Sequence, residues 1–397
     1  MELKTLQKHI QTLAALEETS DPFVSCYLTL TSEPMSWREI YDKRLYLLRR
    51  SLRGDAWWAF EEAVGKMEDF LAKELMNESK GVAIFARGGE KPFFLALQFQ
   101  VPLPTWINVN STPNIYHLVE LKDTYHRFVV MLTTTDRVRI LEVNLGAVTE
   151  DIWRQRPTIR KRIGREWTKE HYQNHHREQT DRFLKEKISI LDNLMRAGGH
   201  THLILAGQPW ETERISRALP KRLAAKLIDT IPVSGHEPIS DVVSTTLVRF
   251  IETEELESQE IAEVLHQEIL SDGLAVVGAQ ATLDALRRYQ VDVLVIAQSY
   301  THQFGWCCNG CATLVVSNNA PHYCANCSGY FFHSVDLREE LVRLAEQQNA
   351  KVEVVMHNEA LIQLGGIGAL LRYRLPSDFQ EVEYPITNQS ALLAEFA

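Results

Sequence analysis

The feature that most constrains the fold is a cluster of cysteines, because five of the six in this 397-residue chain lie within residues 307–327. Cys308 and Cys311 form one CxxC pair, Cys324 and Cys327 form a second, and twelve residues lie between the two pairs. Two such pairs can supply four thiolates in a tetrahedron, which is the coordination that structural zinc sites use. We therefore expect these four cysteines, named the cysteine cluster below, to bind one Zn ion in a closed, structural site.

Two other ligand sets remain open at this point. Cys307 directly precedes Cys308 and offers a second register for the first pair, and His322 could supply a nitrogen ligand. A pair of disulfides, or a site that has lost its metal, is a further alternative. The sixth cysteine, Cys26, lies in an apolar run, which predicts a buried thiol of the core.

The composition predicts a globular protein of the cytoplasm. Hydrophobic residues make up 45% of the chain and charged residues 24%, as in ordinary globular proteins. No apolar run is as long as a membrane span, and the first residues do not follow the pattern of a secretory signal. Clustered CxxC pairs without such a signal favour a reducing compartment, so we expect a cytoplasmic location and no contact with membranes.

The alternation of helical and strand patterns predicts an α/β protein with three domains, over residues 1–122, 123–256 and 257–397. The cysteine-rich segment 305–331 interrupts the pattern of the last domain, so we expect a zinc ribbon inserted there. The acidic stretch from Glu252 to Glu260 separates two helical patterns and predicts a hinge between the second domain and the third.

Local patterns place several elements within these domains. The strands Gly81–Ala86 and Phe93–Phe99 flank a glycine-containing turn and predict a hairpin. The proline-containing run 102–113 predicts a loop that could include a short edge strand. In the second domain, a long polar helix over 167–197 and the strand His202–Ala206 continue the alternation, which favours a mostly parallel or mixed sheet.

A strongly basic segment, residues 154–169, precedes the long polar helix. It holds seven basic residues and one acid, although the whole chain has a net charge of −10. Such a density is typical of contact with RNA phosphates, and an aromatic ring within it can stack on a base or a sugar. The alternative is a solvated, charged loop. The candidate RNA-binding residues are Arg154, Arg156, Arg160, Lys161, Arg162, Arg165, Trp167 and Lys169.

The segment from Gly365 to Leu375, with the sequence GGIGALLRYRL, resembles the C-terminal motif of the archaeal and eukaryotic class-one release factors. A predicted strand, Val352–Met356, precedes it as in that family. The third domain as a whole resembles the family's third domain, in which archaeal members carry a zinc ribbon. The first two domains resemble their counterparts more loosely. The candidate structural residues of the motif, where the glycines would serve backbone geometry and close packing, are Gly365, Gly366, Gly368 and Arg372.

Bacterial proteins of this build are grouped as archaeo-eukaryotic-type release factor homologues, and the group includes Balon-like ribosome hibernation factors. The rescue factor Pelota is a relative. The resemblance implies a monomeric protein that mimics tRNA, enters the ribosomal A site and contacts rRNA there. It also implies delivery by a translational GTPase, for which elongation factor Tu is the bacterial candidate.

Two functional elements of the family are not found in this sequence. Peptide release uses a Gly-Gly-Gln tripeptide, which the chain does not contain, and the corresponding stretch, residues 163–167, is Ile-Gly-Arg-Glu-Trp. The family's codon-reading elements have no counterpart in the first domain either. We therefore predict a factor without enzymatic activity that occupies the A site of idle or stalled ribosomes, in hibernation or in rescue.

Two alternatives remain open. The protein could be a peptidyl-tRNA hydrolase or a tRNA nuclease acting on stalled ribosomes, with Glu166, His171 or Gln173 as the general base or the group that positions water. It could also be a zinc-containing adaptor that binds proteins and no RNA.

Overall fold

The fold is described from a computed structural model, which covers residues 2–30, 37–156, 169–235, 237–300, 304–317 and 319–374. For residues 169–176 and 304 only the backbone is described. Within these ranges, no helix combines the length and the apolar character that a membrane span needs.

The first domain is built on a four-stranded antiparallel sheet. Its elements are α1 (Leu3–Ala14), β1 (Phe23–Thr29), α2 (Trp37–Ser51), α3 (Asp55–Lys73), β2 (Gly81–Arg87), β3 (Phe93–Phe99), β4 (Trp106–Asn110) and α4 (Tyr116–Thr124). The strand order is β3-β2-β1-β4, so β2 and β3 form the predicted hairpin and β4 is the predicted edge strand. The predicted core thiol is confirmed, since Cys26 on β1 is fully buried against α2 and α3.

The opposite face of this sheet shares a core with the third domain. Residues along one side of α1, at a spacing of three or four, are fully buried there: Leu6, Ile10 and Leu13. The same hydrophobic core includes Tyr27 of β1 and Leu341 of a helix in the third domain. The helices α1 and α4 therefore pack between the first sheet and the third domain.

The middle domain contains a five-stranded mixed sheet, as the alternation predicts. Its elements are β5 (Phe128–Thr133), β6 (Arg137–Asn144), β7 (Ala147–Gln155), α5 (Lys169–Gly198), β8 (Leu203–Gly207), α6 (Pro209–Ala218), α7 (Lys221–Ala224) and β9 (Leu227–Pro232). The order is β7-β6-β5-β8-β9, with β5, β8 and β9 parallel and β6 and β7 antiparallel. The helix α5 packs on the sheet through Phe183, Leu191 and Leu194.

The predicted hinge at Glu252 to Glu260 is wrong, because one helix, α8 (Ile239–Leu270), runs through it without a break. Glutamate is a good helix former, so an acidic stretch is compatible with a continuous helix. Contacts with the third domain also hold this part of the helix in place. Ser258 donates a hydrogen bond to the Glu353 carboxylate at 2.5 Å, and the Gln259 amide donates to the carbonyl oxygen of His357 at 2.7 Å.

The third domain consists of a mixed sheet with a second, smaller sheet inserted. Its elements are β10 (Ala275–Val277), α9 (Ala279–Arg287), β11 (Val291–Ala297), β12 (Phe304–Cys308), β13 (Leu314–Val316), β14 (Phe332–Asp336), α10 (Leu337–Gln347), β15 (Lys351–Val355), α11 (Glu359–Gln363) and β16 (Ile367–Leu371). The main sheet has the order β10-β16-β11-β15, and the inserted sheet has the order β13-β12-β14. The cysteine-rich segment is thus an insertion between β11 and α10, as the sequence predicts.

Residues 365–371 of the GGIGALLRYRL motif form the turn after α11 and the strand β16. Gly365 and Gly366 have φ values of 97° and 74°, which residues with a Cβ rarely adopt. A Cβ at Gly368 would lie 2.8 Å from the carbonyl oxygen of Val276 on the neighbouring strand. At the end of β16, the backbone amide of Arg372 donates to the carbonyl oxygen of Gln290 at 2.8 Å. The glycines therefore occupy positions where the backbone conformation or a close approach excludes a side chain.

Candidate metal centre and nucleic-acid interface

The four cysteines of the cluster converge in the inserted sheet. Their sulfur atoms all lie within 4.8 Å of one another. The Cys308 and Cys327 sulfurs are 3.5 Å apart, and so are the sulfurs of Cys311 and Cys324. Thiolates bound at about 2.3 Å to a tetrahedral zinc ion would have sulfurs about 3.8 Å apart. The observed separations are close to that value, so the four thiols could hold a metal such as zinc.

The two CxxC loops have the same backbone geometry. The amide of Ala312 donates to the Cys308 carbonyl oxygen at 2.9 Å, and the amide of Ser328 donates to the Cys324 carbonyl oxygen at 2.8 Å. Ala312 and Ser328 also share a left-handed conformation, with φ values of 53° and 59°. Residues with a Cβ adopt this conformation at a cost of about 1 kcal/mol or more, so two equivalent turns point to a common geometric requirement.

The electrostatics of the cluster favour a bound cation. Hydrogen bonds from the hydroxyl and the backbone amide of Thr313 lower the pKa of Cys311 to about 6. A hydrogen bond from the backbone amide of Gly329 also lowers the pKa of Cys327, but the adjacent thiols outweigh it and raise the pKa to about 12. Four thiols at this separation cannot all ionise without a positive charge among them, and a metal ion would supply that charge.

The structure brings Cys308 into the cluster, and Cys307 lies elsewhere. Successive side chains of a strand point to opposite faces, and Cys307 on β12 packs against the hydrophobic core of the third domain. Burial there raises the pKa of Cys307 to about 11. His322 is exposed and is not among the grouped ligand atoms.

The described part of the basic segment, Arg154 and Arg156, lies at the end of β7, an edge strand. The guanidinium of Arg154 donates to the carbonyl oxygen of Trp153 at 2.9 Å, and that of Arg156 donates to the Thr180 hydroxyl at 2.9 Å. Across the described ranges neither arginine pairs with a carboxylate. The Trp153 side chain is 51% exposed. Two positive charges and an aromatic ring are therefore available at this end of the sheet.

The other candidate RNA-binding residues are not part of the structural description. Lys169 is the first residue of α5, and its side chain is not described. The residues His171 and Gln173, named for the enzymatic alternative, belong to the same helix and likewise have no described side chains. The residues outside the described ranges are Arg160, Lys161, Arg162, Arg165, Glu166 and Trp167.

One further group of polar residues was not predicted. His126, His202 and Glu254 bring two imidazole nitrogens and a carboxylate oxygen within 4.8 Å of one another. They lie in a cleft of about 610 Å³ that residues of the middle and third domains line together. The three residues are far apart in the sequence, so no local spacing could have indicated the group.

Two family models match consecutive parts of the chain. Bacterial archaeo-eukaryotic release factor family 10 matches residues 113–249, and eRF1 domain 3 matches residues 256–375. Peptide chain release factor subunit 1 of Thermococcus onnurineus (strain NA1) is 26% identical over 185 residues, covering 40% of this chain and 43% of that protein. The chain thus matches less than half the length of this curated relative.

Solved structures of related factors align over most of the chain at low identity. The archaeal translation termination factor aRF1 is 15% identical over 94% of this chain and 99% of that chain, with a TM-score of 0.27. Pelota of Archaeoglobus fulgidus is 12% identical over 94% of this chain and 92% of that chain, with a TM-score of 0.36. TM-scores this low support no argument about this chain.

The two family matches cover the middle domain and the third domain, including the inserted sheet and β16. They agree with the resemblance of the GGIGALLRYRL motif to the release factors. Residues 113–249 are therefore homologous to a family of bacterial archaeo-eukaryotic release factors, and residues 256–375 to domain 3 of eRF1.

Proposed function

We propose that this protein is a ribosome-binding, tRNA-mimicking factor that occupies the A site of idle or stalled ribosomes without reading codons or releasing peptide. The observation that carries the proposal is that the middle domain has a basic segment and no peptide-release tripeptide. That domain matches a family of release factor homologues, yet the chain has no Gly-Gly-Gln tripeptide and instead has the basic segment 154–169.

The charge distribution supports contact with rRNA. Seven basic residues and one acid lie in this segment, whereas the whole chain has a net charge of −10. A polyanion would attract this end of the molecule and repel most of the remaining surface, so the field would orient the protein on approach. Arg154 and Arg156 make no ion pair with a described carboxylate, which supports the proposal that they contact phosphates directly.

The proposal includes one structural zinc ion in the cysteine cluster. Four thiolates would complete its coordination, leaving no open position for substrate or water. The ion would stabilise the inserted sheet, because binding to a site that forms only in the folded chain contributes to the free energy of folding.

The cellular setting of the proposal comes from the family. We propose that the protein is a cytoplasmic monomer and that elongation factor Tu is the GTPase that delivers it. The proposal covers both hibernation and rescue, because the resemblance includes factors of both kinds.

Co-sedimentation with ribosomes over a range of salt concentrations tests the RNA contact. We expect the wild type to pellet with 70S ribosomes at low salt and to lose affinity steeply as salt rises. Each phosphate contact contributes a slope of about 0.7 to 0.9 in a plot of log affinity against log salt. The variant Arg154→Gln/Arg156→Gln should therefore lower the slope by about 1.4 to 1.8.

A matched control removes the same charge elsewhere. Lys4 and Lys8 are exposed on α1, and Lys4→Gln/Lys8→Gln should leave the slope unchanged. Failure of the wild type to pellet at any salt would reject ribosome binding. If both double variants have the same slope of log affinity against log salt, the proposal that the basic segment is the contact surface is rejected.

A single-turnover assay on ribosome-bound peptidyl-tRNA tests the absence of catalysis. We expect no release of peptide and no cleavage of tRNA above the buffer control. Rapid release that Glu166→Gln, His171→Ala or Gln173→Ala abolishes would reject the proposal in favour of the enzyme.

A further inference from the structure

We propose that His126, His202 and Glu254 form a second metal site, for a divalent cation such as Zn²⁺, in the cleft between the middle domain and the third domain. This site is distinct from the cysteine cluster, and it would be built from nitrogen and oxygen ligands.

The separations of the ligand atoms fit a metal ion. The Glu254 Oε1 atom lies 3.2 Å from the Nε2 atom of His126 and 3.4 Å from the Nε2 atom of His202. Nitrogen and oxygen ligands bind zinc at about 2.0 to 2.2 Å, so two of them at a tetrahedral angle are about 3.3 to 3.5 Å apart. Both distances from Glu254 therefore match those between ligands of one ion, and all three ligand atoms lie within 4.8 Å of one another.

The other ring nitrogen of each histidine has the partner that a metal-bound imidazole needs. His126 Nδ1 lies 3.0 Å from the carbonyl oxygen of Asp123, which can only accept, so Nδ1 carries the proton in the neutral ring. His202 Nδ1 lies 2.8 Å from the Thr201 hydroxyl, which can also accept. Hydrogen bonds of this kind orient histidine ligands in zinc sites. With the protons on Nδ1, both Nε2 atoms would present lone pairs toward Glu254; in the other tautomer of His202, Nε2 donates to the Glu257 carboxylate at 3.0 Å.

Two imidazole nitrogens and a carboxylate oxygen at these distances need either protons or a metal ion between them. Glu254 Oε1 is buried and has no hydrogen bond of acceptable geometry from any described residue. A divalent ion would compensate the charge and satisfy all three ligand atoms at once.

A fourth ligand is within reach. Glu257 lies one helical turn beyond Glu254 on α8, and its Oε1 atom is 3.0 Å from His202 Nε2. The Glu257 side chain is 51% exposed, so either this carboxylate or water from the cleft could complete the coordination. His126 and His202 precede the parallel strands β5 and β8, so the ion would link α8 to the beginning of the middle sheet.

Metal counting on the full chain tests the site. The protein is stripped of metal under reducing conditions, loaded with excess Zn²⁺, desalted and analysed by mass spectrometry for zinc per chain. We expect two ions in the wild type and one in Glu254→Gln and in His126→Gln. The variant Glu255→Gln makes the same substitution one residue away on α8 and should retain two ions.

Loading with Co²⁺ assigns the ions to their sites. Thiolate ligands give an intense charge-transfer absorption that a site of nitrogen and oxygen ligands does not produce. Glu254→Gln should keep that absorption in full, and Cys327→Ser should lose it while retaining one bound ion. The inference is overturned if the folded wild type binds a single ion at saturating Zn²⁺, or if Glu254→Gln and His126→Gln both still bind two.

Discussion

The carboxylate of Glu339 accepts a hydrogen bond from the backbone amide of Ile115 at 2.8 Å, although 224 positions separate them in the sequence. The same oxygen accepts from the amide of Tyr116 at 3.0 Å. No side chain of its own caps the start of α4, so a residue of α10 supplies the acceptor that the first turn of this helix requires. One buried carboxylate thus joins the first domain to the third.

This contact predicts a stability that depends on pH. Burial, with the charge of Asp336, raises the pKa of Glu339 to about 7 from an ordinary value of 4.5. A raised pKa in the folded state means that the group's contribution is fully present below about pH 4.5 and is lost as pH rises through about 7. The variant Glu339→Gln has no such titration. The unfolding free energy of this variant, measured relative to that of the wild type, should therefore rise by at most about 3 kcal/mol between pH 5 and pH 8.

Urea denaturation of both proteins at several pH values measures this difference. The exposed residue Glu359 provides the control, since Glu359→Gln should show the pH profile of the wild type. A gap between wild type and Glu339→Gln that is the same at pH 5 and pH 8 would contradict the prediction.

A buried ion pair in the middle domain predicts a large effect of a single substitution. Lys187 and Glu211 are 2.9 Å apart, with side chains only 1% and 3% exposed. The variant Lys187→Met would leave the Glu211 charge buried without its partner, which should cost about 3 to 5 kcal/mol of unfolding free energy. Lys187→Met/Glu211→Leu removes both charges and should recover most of that loss.

The exposed pair of Lys73 and Asp69 is the reference for this measurement. Their side chains are 71% and 70% exposed, so Lys73→Met should cost less than about 1 kcal/mol in the same denaturation experiment. Similar losses in the two single variants would show that the buried pair contributes no more than a surface pair.

The close approach at Gly368 predicts a penalty for the smallest possible side chain. A Cβ there would lie 2.8 Å from the Val276 carbonyl oxygen, so Gly368→Ala must displace a backbone strand and should lose about 1 to 3 kcal/mol. A Cβ at Gly65 in α3 would lie in open space. The unfolding free energy of Gly65→Ala should therefore increase by up to about 1 kcal/mol. Thermal unfolding distinguishes the two, and a neutral Gly368→Ala would refute the packing argument.

The cysteine cluster predicts a selective effect of thiol removal. Cys327→Ser should abolish the thiolate-to-cobalt absorption and lower the midpoint of thermal unfolding, because the inserted sheet loses its metal. Cys307→Ser should leave the absorption unchanged, since Cys307 packs against the core. Loss of the absorption in Cys307→Ser but not in Cys327→Ser would assign the other register.

Much of the fold is predictable from local patterns, and the exceptions have physical causes. The strand Phe93–Phe99 was predicted with its observed bounds, because its composition and the glycine turn before it both favour a hairpin. The strand Leu227–Pro232 was not predicted, since it is short, partly exposed and ends in proline. The prediction of a hinge was wrong because acidic composition does not distinguish a mobile linker from a helix held by distant contacts.

The two candidate metal sites also differ in how far the sequence predicts them. The cysteine set follows from spacing, although the choice of Cys308 over Cys307 required the direction of side chains on β12. The group of His126, His202 and Glu254 depends on strand pairing and on the path of α8, so only the folded structure reveals it. The basic segment was found from composition alone, and its contact with RNA stays a prediction.

The continuous helix α8 has a mechanical consequence. Its 32 residues form a rod about 48 Å long, which starts in the middle domain and ends beneath β10 of the third. A change in the orientation of the middle domain relative to the third therefore has to bend this helix or to move its ends. A helix without proline or a bulge bends only gently, so a large change in angle between the two domains is expected before Ile239 or after Leu270.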